Sequence, residues 1–516
     1  MISSRRVIPA AALLAAGFLP LTALPAQAAH AAATAAARAA AARPGDFNGD
    51  GYRDLAIGGP TMDAGSVSRA GAVSVAYGAK AGLDTAAHQT LTQGSPGVPG
   101  GRETGDRFGG SVTSGDFDRD GYADLAVGSP GEAIGTDADA GSVTIIYGSA
   151  TGLSDRAAAF QQGSGGVPGA EGEGHRFGAH LAAGDVNGDG YADLAITADG
   201  NSVNDDTAVV LYGGPDGVTG TGATTLHRPP DSDFPEKDGA GRQVASFGDD
   251  VTMADADRDG KADVFVSLNV HSDEPEIMNN YPSVAYYRGG ASGASATRAK
   301  SFDDAGRTLA SGDVNGDGTQ DVVAGYGGDE FSASRVTVLT GGEAGPVKTQ
   351  TFNQDTAGVP GSDEPGDGFG DALAVGDVDA DGKADVAVGA PGEDTGAGWG
   401  EGRVTLLRGS PKGVVYSGAT IYDQDSSGVP GHGEYGDLWG AGVSLTDLNG
   451  DTHADMAVGS PGENGTGTVD QRDGNGSVTV LKGTGSGLRH SGVISFGAAT
   501  LGGVTAHANF GDPILR

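Results

Sequence analysis

Short apolar runs recur along this chain between long polar, glycine-rich connections, and none keeps the 3.6-residue period of an amphipathic helix. One set, typified by Leu125-Ala126-Val127 and Val386-Ala387-Val388, is too brief for helices and predicts buried strands. A second run follows each member of that set, at residues 72–77, 143–147, 208–212, 284–287, 336–339, 404–407 and 478–481. These runs are rich in β-branched residues and are closed by Gly within two positions. A strand ahead of the first run and a weaker one behind the second complete a four-stranded unit.

Every first run is entered through an Asp-rich nonapeptide. Seven copies start at Asp46, Asp116, Asp185, Asp255, Asp313, Asp377 and Asp447, spaced 70, 69, 70, 58, 64 and 70 residues apart. Self-similarity at this period, with strands and no helices, predicts an all-β, seven-bladed β-propeller of four-stranded blades.

Two further signatures stand at fixed offsets. Phe108-Gly109, Phe177-Gly178, Phe247-Gly248 and Phe369-Gly370 lie eight positions before a loop Asp, with Trp439-Gly440 as a variant. Gly58-Gly59-Pro60, Gly128-Ser129-Pro130, Gly389-Ala390-Pro391 and Gly459-Ser460-Pro461 follow the first run. With these, residues 45–516 resemble the FG-GAP repeats of the integrin alpha-subunit N-terminal propeller and its bacterial relatives. Copies three, four and five lack the Gly-x-Pro, and copy five has Ala305-Gly306 for Phe-Gly. The first copy has no Phe-Gly, whereas Phe510-Gly511 is followed by no Asp loop. Joining residues 511–516 to Gly45 restores the seven-residue spacing of the other copies. The C-terminal segment is therefore expected to complete the first blade, closing the ring without an open edge.

The Asp loops suit a hard cation. Positions 1, 3, 5 and 9 are Asp or Asn in every copy, and position 6 is Gly in six of them. Calcium takes about six to eight oxygens, and an EF-hand-like loop supplies them from side chains at 1, 3 and 5 and the carbonyl at 7. Gly at position 6 permits the sharp turn. The FG-GAP resemblance implies that Asp at position 9 completes the set. The candidate ligands are Asp46, Asn48, Asp50, Tyr52 and Asp54 in the first loop and Asp116, Asp118, Asp120, Tyr122 and Asp124 in the second. Asp185, Asn187, Asp189, Tyr191 and Asp193 follow in the third, and Asp255, Asp257, Asp259, Lys261 and Asp263 in the fourth. The fifth offers Asp313, Asn315, Asp317, Thr319 and Asp321, and the sixth Asp377, Asp379, Asp381, Lys383 and Asp385. The seventh offers Asp447, Asn449, Asp451, His453 and Asp455, with Thr452 in place of the glycine, and is expected to bind most weakly. Magnesium would demand stricter octahedral geometry, and zinc would prefer His or Cys. Calcium tenfold above its dissociation constant contributes about 1.4 kcal/mol per site, or on the order of 10 kcal/mol for seven. That is comparable to a whole folding stability, so about seven structural Ca²⁺ ions are expected.

Composition sharpens this. The chain has no Cys, 95 Gly, and 68 acidic against 31 basic residues, for a net charge of −37. Such charge argues against nucleic acid or an anionic membrane as partner. Arg5 and Arg6, an apolar stretch over residues 7–24 and Ala26-Gln27-Ala28 have the order of a secretory signal peptide over residues 1–28, with twin-arginine export open. An Ala-rich leader over residues 29–44 would precede the propeller at 45–516. The protein is thus expected to be secreted or envelope-associated and monomeric, without a later membrane span. In an exported chain without disulfides, metal is the expected staple.

Motifs for catalysis are missing. There is no Gly-x-Ser-x-Gly, His-Glu-x-x-His or phosphate-binding Gly-Lys-Ser/Thr loop, and the repeats occupy the mature chain. Some relatives carry a catalytic domain beside the propeller, for which no room is expected here. His175, His180 and His432 lie near repeat boundaries, where packed or exposed side chains are the plainer reading. Gly-Val-Pro-Gly recurs at 97–100, 166–169, 358–361 and 428–431, followed by Glu103, Asp106 and Arg107; Glu173, His175 and Arg176; Glu364 and Asp367; and Glu434 and Asp437. The resemblance implies that this end, opposite the metal loops, faces ligands; a repeated structural corner is the alternative. The leading expectation is a non-enzymatic adhesion or recognition module for protein or glycan. A glycan hydrolase or lyase and a structural envelope protein are the competing readings. Clustered His, Tyr and Arg or a carboxylate pair in the central channel would favour the enzyme.

Overall fold

The computed structural model describes residues 40–516 apart from 201–206, 235–241, 273–279, 330–331, 397, 464–473 and 505–507. The expected signal peptide and most of the Ala-rich leader lie outside the described residues.

Seven antiparallel sheets form, each from strands consecutive in sequence. In the second blade Ser111–Gly115, Asp124–Ser129, Ser142–Ile146 and Ala157–Phe160 pair in that order from the ring axis outward. Burial follows the apolar pattern. Asp124–Ser129 and its counterparts Asp193–Ala198, Asp321–Tyr326, Asp385–Ala390 and Asp455–Ser460 are buried at every position. Both faces of such a strand pack on neighbouring blades, so the run reads as continuously apolar rather than alternating. Each fully buried Val, Leu or Ile contributes about 1.5–3 kcal/mol. Outermost strands such as Val415–Tyr422 and Arg489–Gly497 are mostly exposed or half-buried, which is why their sequence signal is weak.

The Phe-Gly and Gly-x-Pro signatures meet between blades. Phe108, Phe177, Phe247, Phe369, Trp439 and Phe510 are at most 1% exposed, and Ala305 takes the same buried place in the fifth blade. A Cβ on Gly58, Gly128, Gly389 or Gly459 would stand 1.8–2.3 Å from the carbonyl oxygen of Gly109, Gly178, Gly440 or Gly511. Glycine there lets adjacent blades touch backbone to backbone.

Ring closure follows the residue count. The first sheet has three strands of its own, Leu55–Gly59, Ala72–Tyr77 and Asp84–Leu91. The C-terminal segment lines its inner edge: Leu515 N–H donates to Ala56 O at 2.9 Å, Gly58 N–H to Pro513 O at 2.8 Å, and Ile57 pairs antiparallel with Ile514. Phe510 bridges to Gly476 of the seventh blade. Blade four departs most from the repeat, with an inner hairpin lengthened to Arg242–Ala254 and Asp263–Ser272 and two register irregularities. Among the described residues no helix is long and apolar enough to cross a membrane.

Candidate functional site: the Asp loops and the axial channel

All seven nonapeptides fold alike. The position-1 Asp accepts backbone N–H groups from positions 5 and 6, as Asp46 does from Asp50 at 3.1 Å and Gly51 at 3.0 Å. The position-5 carboxylate accepts from position 7, as Asp50 does from Tyr52 at 3.0 Å. Thr452 keeps the same bond to Asp447, at 2.9 Å, but holds φ at 74°, where a β-branched residue is strained.

Position 9 ties the loop to the blade. Asp54 Oδ2 accepts from Phe47 N–H and Oδ1 from Gly78 N–H, both at 2.9 Å, and the other six copies repeat this pair of bonds. These carboxylates are buried, and burial pushes Asp124 up to about 8, Asp54, Asp193 and Asp263 to about 7, and Asp321, Asp385 and Asp455 to about 6. Other carboxylates of the same loop push in the same direction.

Position 3 divides the loops. It is Asn in copies one, three, five and seven and Asp in copies two, four and six. In the latter, Asp116, Asp118 and Asp124, then Asp255, Asp257 and Asp259, then Asp377, Asp379 and Asp385 bring carboxylate oxygens within 4.8 Å of one another. The Oδ1 atoms of Asp118, Asp257 and Asp379 are buried without a hydrogen-bond partner. A desolvated anionic oxygen without a donor is costly, and an oxygen-only set around it fits a hard cation. Each of these loops also has an arginine: Arg156 pairs with Asp118, Arg288 Nε lies 3.5 Å from Asp257, and Arg408 lies 2.9 Å from Asp379 and 2.7 Å from Asp385.

A channel runs along the ring axis, lined by inner-strand residues of all seven blades and enclosing about 430 Å³. Near the end opposite the Asp loops, Asp250 accepts backbone N–H groups from Val251 and Leu309, both at 2.8 Å. His180 Nδ1 lies 3.6 Å and Arg516 3.4 Å from its carboxylate. Arg53, at the loop end, donates to Thr446 Oγ1 at 3.4 Å. His175 lies outside the channel, beside Gln162, and His432 is 90% exposed.

The valines of the Gly-Val-Pro-Gly segments anchor these corners to the blades. Val98, Val167, Val359 and Val429 are 4–8% exposed and plug into four different hydrophobic clusters. Arg107 is exposed, and Arg176 lies 3.7 Å from Asp199.

The FG-GAP repeat family matches residues 39–75, 108–146, 177–212, 305–339, 369–407 and 439–481. Five of these six matches begin on the Phe-Gly position and end near the third strand of a blade. The chain is an FG-GAP repeat protein. Blade four, with its lengthened hairpin, is outside the matched ranges. Integrin alpha-5 of Xenopus laevis is 35% identical to this FG-GAP protein over 176 residues, 33% of this chain and 15% of the relative. Phosphatidylinositol-glycan-specific phospholipase D of Rattus norvegicus is 33% identical over 163 residues, 30% of this chain and 18% of the relative. The matched region is thus less than a fifth of the length of either relative. Rhamnogalacturonan lyase YesW superposes over 67% of this chain and 58% of that one at 13% identity, with a TM-score of 0.32.

The expectation that this FG-GAP protein is not an enzyme is corrected. A phospholipase D, an enzyme by name, shares the repeats, so membership does not separate binders from catalysts. The channel also holds part of the cluster set out as the mark of an enzyme, in His180, Asp250 and Arg516. Groups contributed by different blades leave no local motif, which is why the motif search passed over them. The guanidinium partners of the Asp loops were missed as well. Arg288 and Arg408 each stand one residue before the glycine that bonds position 9, and aligning the copies on that glycine would have found them.

Proposed function

We propose that this FG-GAP protein is a secreted, calcium-stabilised propeller that recognises an extracellular protein or glycan. The observation that carries the calcium part is the buried, donorless Oδ1 of Asp118, Asp257 and Asp379, each inside an all-oxygen loop. The ligands are the side chains at positions 1, 3, 5 and 9 and the carbonyl at 7 of every loop. Calcium supplies the charge that lets those carboxylates sit together. Similarity to integrin alpha subunits supports the recognition part. Titration calorimetry on the chelated protein is expected to give at least seven calcium ions, one for each Asp loop, and the ligand is sought on protein and glycan arrays in calcium buffer. A stoichiometry near zero would refute the calcium reading, and arrays without a calcium-dependent hit would refute recognition.

A second reading rests on the channel. Asp250, fixed by two backbone amides, orients His180 beside the Arg516 guanidinium, which is the composition of a base with an anion-stabilising partner. That reading is glycan cleavage. It is tested by incubating the protein with acidic and neutral polysaccharides and measuring new reducing ends, with His180→Ala as control. Cleavage that survives in His180→Ala would exclude this site.

A further inference from the structure

The four Gly-Val-Pro-Gly corners differ from one another. Each has a Gln four residues ahead of the motif, Gln93, Gln162, Gln354 and Gln424, and each is 2–4% exposed. In three corners the amide Nε2 donates to a Glu of the next blade: Gln93 to Glu132, Gln354 to Glu393 at 2.7 Å and Gln424 to Glu463 at 2.5 Å. In the same three, the Gln Oε1 is buried without a hydrogen-bond partner. The fourth corner is satisfied. Gln162 Nε2 donates to Thr207 Oγ1 at 3.0 Å, and its Oε1 lies 3.3 Å from His175 Nδ1.

The acids change together with that oxygen. Where Oε1 is orphaned, a Glu stands three and an Asp six residues after the motif: Glu103 and Asp106, Glu364 and Asp367, Glu434 and Asp437. In the fourth corner those positions are Gly172 and His175, and the residue in register with Glu132 is Asn201. Asp106, Asp367 and Asp437 are 1%, 7% and 2% exposed. The Gln354 corner has its own positive charge, because Arg403 lies 2.5 Å from Glu393. The Gln93 and Gln424 corners have Ser142 and Ser477 at that register, and among the described residues their acids make no ion pair.

We propose that the corners built on Gln93 and Gln424 are additional divalent-cation sites, held by Asp106, Glu132 and Gln93 Oε1 in one and Asp437, Glu463 and Gln424 Oε1 in the other. Oxygen-only donors select a hard cation, and water would complete the shell. On this account Arg403 and His175 stand in for the ion at the other two corners. Burial and the neighbouring acids push both Asp106 and Asp437 up to about 7, as expected of carboxylates brought together without a counter-charge.

The test is metal analysis of the intact protein after equilibrium dialysis against calcium at pH 8. Asp106→Asn with Glu132→Gln, and separately Asp437→Asn with Glu463→Gln, should each lose one ion relative to the parent. Ser142→Arg, which copies the Arg403 arrangement, should lose the first of these ions while keeping its circular dichroism and its other ions. An unchanged ion count in all three variants would overturn the proposal and leave the acid pairs sharing a proton. A parent with seven ions and unaltered variants refutes the corners alone, whereas a parent with none refutes the Asp loops as well.

Discussion

Asp loops two, four and six differ from loops one, three, five and seven in three linked ways. They carry Asp instead of Asn at position 3, they replace Gly at position 4 with Arg119, Arg258 and Ala380, and they recruit Arg156, Arg288 or Arg408. Position 4 is left-handed in both classes, with φ of 55°, 61° and 57° at those three residues and 68–76° at Gly49, Gly188, Gly316 and Gly450. The backbone is therefore shared, and the even loops maintain it at greater cost in strain and repulsion. The added carboxylate is offset by one guanidinium, so the carboxylates at positions 1, 3, 5 and 9 together with that partner carry the same charge in both classes. On the proposed calcium reading, affinity would be tuned by the surroundings of a loop as well as by its own nonapeptide.

Chelation tests this comparison most severely. Removing calcium should cost on the order of 10 kcal/mol if all seven loops are filled, seen as a large fall in Tm by scanning calorimetry. An unchanged Tm after verified metal removal would leave both classes of loop as plain turns.

The chelated protein should next show an inverted pH dependence. The position-9 carboxylates titrate at about 6 to 8 when folded, above the roughly 3.9 of an unfolded Asp. A raised carboxyl disfavours the folded state once ionised, so metal-free stability should rise as pH falls from 8 towards 5. Denaturant midpoints at several pH values measure this, and Asp124→Asn should remove the part lying near pH 8.

Arg408→Ala separates the classes directly. In chelator it should destabilise by about 1–3 kcal/mol, because Asp379 and the buried Asp385 lose their charged partner. In calcium the loss should shrink. Arg288→Ala, at an exposed side chain 3.5 Å from Asp257, should stay within about 1 kcal/mol. Equal losses in calcium and chelator would show that the guanidinium packs rather than neutralises.

The smallest effect concerns strain. Thr452→Gly should stabilise the seventh loop by about 1 kcal/mol, and Ala380→Gly by less, since both residues now hold left-handed φ. Paired thermal melts would resolve a shift of that size, and a fall in Tm on Thr452→Gly would refute strain at that loop.

Blade number, strand order and the closure of the ring were legible in the sequence because each depends on short-range periodicity. The count from Phe510 to Gly45 stood for a physical contact, the bonds that Gly58 and Ala56 make with residues 513 and 515. The nonapeptide fixed its own turn, since positions 1, 5 and 6 bond within the loop. What the tertiary structure decided lies between blades and between separate strands of one blade. Asp250 meets His180 and Arg516 across the channel, Asp379 and Asp385 meet Arg408 across a sheet, and Gln93 meets Glu132 at a corner. These partners are 23 to 266 residues apart in the chain, so no local pattern couples them. Their chemistry arises only when the ring packs them together and removes the water that would otherwise screen each charge.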